Sequence, residues 1–182
     1  MAEYTEFSEA SLLYADNYYL IERLEQVFKK DQAALFQAFR RRIQERKWMT
    51  AGKWKINISG TYFEFRYQTD QGKEPFFIYL RLSPRDLANK NKEEGKEGER
   101  RSFEIALAAR ADISNLGEFR KRFFDRAAAA LREEFEVGKD YHPTRSTGQA
   151  LVRKQVEYSL PNLLDVMELE IERLAKLAEY AK

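Results

Sequence analysis

The chain contains no cysteine, a single histidine and no long apolar run. Without cysteine there is no disulfide framework, no thiolate metal site and no cysteine nucleophile, and one histidine cannot supply the usual structural zinc sets. The acidic start, Met1 to Glu6, lacks the positive charge and apolar run of a secretory signal. We therefore expect a cytoplasmic protein with no membrane segment, no metal and no other cofactor.

Neither sign of charge dominates, because the chain has 32 basic and 30 acidic residues and a net charge of +2. A balance this close does not by itself mark a nucleic-acid-binding protein. The distribution is uneven, because residues 1–25 hold six acids against Arg23, whereas residues 40–55 hold seven bases against Glu45. These seven bases form what we call the basic cluster: Arg40, Arg41, Arg42, Arg46, Lys47, Lys53 and Lys55.

Two tryptophans, Trp48 and Trp54, are interleaved with the basic cluster. Basic side chains bind phosphates and an exposed indole stacks on a base, so the cluster indicates a nucleic-acid-binding surface. The alternative is an ordinary solvated helix end, where cations suit the helix dipole, with Trp54 in the core.

From Ser8 to about Lys47, apolar residues recur at three- and four-residue steps, which predicts an amphipathic helical region. They are Leu13, Leu20, Leu24, Val27, Phe28, Leu35, Phe39 and Ile43. Asp31 is a preferred N-cap residue, and Lys29 and Lys30 suit the end of a preceding helix. We predict two helices that meet near residue 30 as a hairpin, with one long helical arm as the alternative.

Residues 53–83 alternate aromatic or β-branched residues with polar ones, which is the period of half-buried strands. The pattern predicts strands near 53–59, 61–68 and 75–83, joined by turns at Gly60 and Gly72 in an antiparallel sheet. A fourth strand follows, because Phe103, Ile105 and Leu107 alternate in the same way. Between them, residues 85–101 carry mixed charges and almost no apolar residue, so we expect a mobile loop.

The second half of the chain is predicted to be mainly helical. Asn115 with Glu118 three residues later is typical of a reciprocal cap, and the helix should run to about Phe135. A last helix begins around Pro161. Leu151 to Tyr158 fits either an edge strand or a helical turn.

These elements predict one α+β domain over residues 1–182. It comprises a helical arm or hairpin (8–47), a four-stranded, mainly antiparallel sheet (53–110) and a layer with two C-terminal helices (115–182). Phe76 and Phe77 are adjacent in one strand and must point to opposite faces, so we expect the second sheet face to be partly covered by another helix or a partner chain.

Catalytic signals are weak. Glu64 and Arg66 have the spacing of the acid-x-Lys half of the metal-dependent PD-(D/E)xK nucleases, but Arg66 cannot take up a proton as a lysine amine does. The competing interpretation is a cross-strand ion pair with Arg81 or Glu104 on the same face. His142 near Asp140 could serve as a general base, or it is an ordinary loop residue.

We therefore expect a non-catalytic, intracellular binding or assembly module that meets a protein partner or a second copy of itself. A nucleic-acid-binding domain using the basic cluster is the alternative, and a divergent metal-dependent nuclease is the third reading. We assign no catalytic and no metal-binding residue.

Overall fold

A computed structural model describes residues 8–50, 53–83, 101–110, 113, 115–143 and 149–182. The protein is α+β, as predicted, and divides into two compact units, Met1–Gln37 and Ala38–Lys182. The helices are α1 (Glu9–Asp16), α2 (Tyr18–Gln44), α3 (Lys47–Thr50), α4 (Leu116–Glu134) and α5 (Leu163–Ala178). The strands are β1 (Trp54–Ser59), β2 (Tyr62–Tyr67), β3 (Phe76–Arg81), β4 (Arg101–Ala109) and β5 (Ala150–Tyr158).

The sheet is antiparallel with five strands in the order β1-β2-β3-β4-β5, so the predicted count of four is wrong. The extra strand is the segment 151–158, which the sequence left open. It becomes a strand because it pairs with β4 from Arg101 opposite Tyr158 to Ala108 opposite Ala150, with one register shift. The pairing gives hydrogen-bond partners to the backbone N–H and C=O groups of both strands. The periodicity of a sequence does not show which strands will pair.

One face of the sheet, which we call the inner face, forms the core. Its aromatic and aliphatic side chains line up across the strands, as in the row Ile56, Phe65, Ile78, Leu107 and Val152. Helix α5 packs against β3 and β4, and Phe39 of α2 places its ring 5.2 Å from that of Phe63. Packing α5 and the end of α2 against the inner face gives a helical layer and a sheet layer around an apolar core.

Helix α2 is continuous through Asp31, so the predicted break near residue 30 is wrong. The helical region is interrupted instead at Asn17, which lies between α1 and α2. Asp31 does not cap a new helix, because a buried or half-buried stripe continues past it at helical spacing. This stripe comprises Ile21, Phe28, Leu35, Phe39 and Ile43.

The later predictions have mixed outcomes. Gly60 and Gly72 adopt positive φ at the predicted turns. Helix α4 lies where the sequence placed it, but Asn115 makes no side-chain capping bond and the predicted reciprocal cap is wrong. The reason is that Asn115 has φ 71°, a left-handed conformation instead of the extended one that an N-cap residue adopts.

The predicted mobile loop, residues 85–101, lies outside the described residues, except that Arg101 is the first residue of β4. Within the described ranges, every helix is too short or too polar to cross a membrane.

Candidate binding surfaces

The basic cluster lies where α2 ends and the sheet begins. Arg40, Arg41 and Arg42 belong to the last turns of α2, and Arg46 follows that helix. Lys47 is the first residue of α3, Lys53 precedes β1 and Lys55 is on β1. The structure thus places the seven bases along one stretch of chain, but their surroundings differ.

Two arginines of the basic cluster bind acids of helix α5. Arg42 lies 2.6 Å from Asp165 and 3.7 Å from Glu168, measured between side-chain nitrogen and oxygen. Arg46 contacts Glu168 and lies 3.4 Å from Glu172. These pairs link Arg42 of α2 and Arg46, which follows it, to α5, and they lower the positive charge that a phosphate would meet.

A cavity of about 420 Å³ opens beside these ion pairs and is lined by Arg42, Glu45, Arg46 and Glu168. Small-molecule sites usually combine apolar walls with a few polar groups. This cavity has only charged walls of both signs, and two of its arginines and one of its acids already bind each other. We therefore do not assign it as a ligand site.

The other members of the basic cluster lie near the surface. Lys53 is 3.2 Å from Asp70, and the hydrogen bond and attraction to that carboxylate raise the pKa of the lysine ammonium. Arg40, Arg41, Lys47 and Lys55 have exposed side chains. Four bases of the seven therefore remain at the surface as candidates for phosphate contact.

Both tryptophans pack against other aromatic rings. Trp54 is buried, as predicted, and Trp48 is half-buried with its ring 5.7 Å from that of Trp54 and 5.5 Å from that of Phe65. Both indoles contribute to the aromatic core, so neither is the exposed stacking side chain that the nucleic-acid interpretation assumed.

The outer face of the sheet, opposite the inner face, carries a polar and aromatic network. Glu64 accepts hydrogen bonds from Arg66 at 2.7 Å and from Asn57 at 3.1 Å. Arg81 lies 3.6 Å from Glu104 of the neighbouring strand, so an ion pair between those two residues crosses strands on this face, while Glu64 and Arg66 pair with each other within β2. Glu64 thus has cationic and amide donors around it, whereas a nuclease needs a second carboxylate beside it.

Glu104 is the centre of the outer-face network. It is 8% exposed, accepts a hydrogen bond from the Tyr79 hydroxyl at 2.8 Å and lies 3.4 Å from the Gln155 amide nitrogen. Burial and the bond to this carboxylate raise the pKa of Tyr79 to about 12. Tyr79 therefore stays a neutral donor at physiological pH.

The remaining candidates for chemistry are His142 with its neighbour Asp140 and any group of side chains that could hold a metal ion. His142 is exposed, while the carboxylate of Asp140 accepts a hydrogen bond from the Glu136 backbone amide at 3.0 Å. In the parts of the chain that the structure describes, no three histidine, aspartate or glutamate side chains converge to hold a metal ion.

The first two helices carry an exposed apolar surface that sequence reasoning missed. Eight large apolar residues of α1 and the first half of α2 are 46–84% exposed. We call them the N-terminal apolar surface: Leu12, Leu13, Tyr14, Tyr18, Tyr19, Leu20, Leu24 and Val27. Helix α1 has no buried residue, although its apolar side chains are distributed around its circumference.

A signal for this surface was present in the sequence. The apolar positions of α2 form two stripes, because Val27 and Phe28 are adjacent and point about 100° apart on a helix. Leu20, Leu24 and Val27 share the exposed stripe, whereas Phe28 belongs to the buried one. Merging both stripes into a single amphipathic face concealed the exposed one.

No protein-family model matches the chain, and neither a curated protein nor a solved structure matches it.

Proposed function

We propose that the protein is a binding module that assembles with a protein partner through the N-terminal apolar surface. The observation that supports this proposal is the exposure of eight large apolar side chains within sixteen consecutive residues, Leu12 to Val27. Soluble proteins rarely expose contiguous apolar surface of this kind unless it forms an interaction site.

Helix stability supports the same proposal. An isolated helix is marginal in water, and most helices in proteins are stabilised by packing one face against a neighbour. Between Glu9 and Val27, no residue is buried. A partner that covers this segment would supply the packing that its own chain does not, and a helix that is apolar all round is typical of a buried position.

A triple substitution tests the proposal by placing charge on the surface. Covering a half-exposed leucine or valine stabilises a complex by about 1 kcal/mol, and an unpaired buried glutamate costs more. Leu20→Glu, Leu24→Glu and Val27→Glu together should therefore weaken partner binding by roughly 100-fold or more. The measurement is affinity purification of tagged protein from cell extract, with quantitative identification of the retained proteins.

The chain offers a matched control with the same charge change at other exposed apolar positions: Val137→Glu, Leu160→Glu and Leu169→Glu. We expect the control to retain the parent's partner and the α2 variant to lose it. Equal retention by both variants would contradict the proposal. A parent protein that retains nothing above background and is also a monomer in solution would contradict it as well.

Nucleic-acid binding is the second candidate. Its support is the exposure of Arg40, Arg41, Lys47 and Lys55. The ion pairs of Arg42 and Arg46 with α5 weigh against it, as does the packing of both tryptophans. For this reason we place the assembly function first.

A further inference from the structure

The exposed stripe of α1 and α2 has the spacing of a helix-pairing seam. Its positions alternate in steps of four and three residues, which is the heptad spacing by which one helix packs against another. We call them the seam: Leu13, Asn17, Leu20, Leu24, Val27, Asp31 and Ala34. Six of the seven side chains are exposed and Asn17 is half-buried. This spacing indicates that the occupant of the surface is another helix.

The seam spans the joint between α1 and α2, which are separate helices. At the joint, the backbone amide of Asn17 donates to the carbonyl of Leu13 at 3.2 Å, and that of Ile21 donates to the carbonyl of Asn17 at 3.0 Å. These are the i to i−4 bonds of an α-helix. Asn17 itself has φ −105° and ψ 6°, so regular helical spacing holds for the seam residues from Leu20 to Ala34 within α2, and Leu13 lies beyond the joint.

Charge along these helices identifies a suitable partner helix. Residues 8–22 hold three acids and no base: Glu9, Asp16 and Glu22. Residues 29–43 hold one acid, Asp31, and five bases: Lys29, Lys30, Arg40, Arg41 and Arg42. Arg42 already binds Asp165, but Lys30, Arg40 and Arg41 remain exposed. The acidic part of one copy is thus complementary to the basic part of a second copy that runs in the opposite direction.

Side-chain size along the seam favours the same orientation. Its first half carries leucines, while Ala34 ends it. With a twofold axis between residues 25 and 26, Leu24 faces Val27 of the other copy, and Asn17 faces its Ala34. Large residues then meet smaller ones across the pair, which is how facing helix positions interdigitate. The polar seam residues Asn17 and Asp31 would weaken the pair but fix its register.

We propose that the partner of the N-terminal apolar surface is a second copy of this chain, which pairs with the first through the seam as antiparallel helices. This inference rests on the proposed function, because it names the occupant of the same surface. The charge gradient favours it over a parallel pair, in which the acids of residues 8–22 would lie side by side and repel.

Molar mass in solution provides the first test. Light scattering on the purified, unliganded protein should give twice the chain mass for the parent and for the control Val137→Glu, Leu160→Glu, Leu169→Glu. Leu20→Glu, Leu24→Glu and Val27→Glu together should give the mass of one chain, with unchanged unfolding of the sheet core. A monomeric parent would overturn self-pairing. A foreign protein that the parent and the control retain and the α2 variant loses would still support the assembly function.

Cross-linking tests the orientation, and the absence of cysteine makes it specific. Leu20→Cys and Asp31→Cys proteins, one carrying a size tag, are mixed and treated with a short thiol-reactive cross-linker. An antiparallel pair places residue 20 of one copy beside residue 31 of the other, so the mixed product should dominate. Predominance of the 20–20 and 31–31 products would overturn the antiparallel arrangement, as would the absence of any cross-linked pair.

Discussion

Glu104 joins three strands of the sheet through one carboxylate. Its oxygens lie near Tyr79 and Arg81 of β3 and near Arg153 and Gln155 of β5. A nearly buried acid is stable only when its lone pairs are used, and these neighbours supply both hydrogen bonds and positive charge. We therefore interpret the network as a structural link between strands on the outer face, because the neighbours of Glu104 already bind its carboxylate.

Removing the Tyr79 hydroxyl should make this link visible as a pH effect. Because the folded pKa of Tyr79 is raised from 10 to about 12, the stability that it contributes is present below pH 10 and is lost as the pH rises towards 12. Tyr79→Phe should lower the free energy of unfolding by about 1 to 3 kcal/mol at neutral pH, since Glu104 loses a donor. Denaturant titrations at several pH values should show this difference shrinking above pH 10; a difference independent of pH would contradict the assignment.

Phe65 carries a different kind of residue-scale prediction, because it lies wholly in the core. It is 0% exposed, and its ring centroid is 5.0 Å from that of Phe63 and 6.3 Å from that of Phe39. Phe65→Ala should lower the free energy of unfolding by about 3 to 5 kcal/mol, measured by denaturant titration. Tyr62→Ala, a 38% exposed aromatic in the same strand, is the control and should cost clearly less. Equal losses would show that the strand faces are assigned wrongly.

Strands were the elements that the sequence predicted best, because alternation reports directly which side chains face the core. Phe63 and Phe65 followed that pattern, and both are buried. β5 stayed ambiguous since Lys154 occupies an inner-face position, opposite Ile105. Only the structure brings Glu170 of α5 within 3.4 Å of that ammonium group, so the sequence alone could not explain a cation there.

The N-terminal helices were predicted less well, for a related physical reason. A hydrophobic pattern shows that a side chain is apolar, but it does not show whether the chain itself covers that side chain. Leu24 and Phe28 are equally apolar in the sequence, yet Leu24 is 59% exposed while Phe28 is half-buried. The surroundings of the basic cluster could not be predicted for the same reason, because Asp165, which binds Arg42, lies on a helix more than a hundred residues later in the chain.

At the scale of the whole molecule, basic and acidic residues are nearly equal in number, and several of them form ion pairs with each other. The net charge of +2 is spread over acids and bases that pair across distant segments, as Arg46 does with Glu172 and Lys53 with Asp70. Exposed pairs of this kind contribute little stability, but they lower the local potential that a phosphate backbone would meet. These contacts therefore support our proposal of a protein partner over a polyanion.

A salt titration decides between these two classes of partner. If the basic cluster bound a phosphate backbone, affinity for a generic oligonucleotide would fall steeply with salt, since each neutralised phosphate releases counterions. We expect no such binding by the parent protein even at low salt, measured by fluorescence anisotropy of a labelled oligonucleotide. The reason is that Arg42, Arg46 and Lys53 already bind acids, which leaves too few free cations in one place.

Two variants with the same charge change make the result interpretable. One variant replaces the exposed Arg40, Arg41 and Lys47 by glutamate. The control replaces the exposed Lys121, Arg122 and Arg126 of α4 by glutamate as well. Both should stay folded, because exposed charges contribute little to stability. Submicromolar, salt-sensitive binding by the parent and the control, abolished only in the first variant, would overturn our prediction. The nucleic-acid function would then replace assembly as the leading proposal, because the free bases of the cluster would have been shown to act together despite the acids of α5.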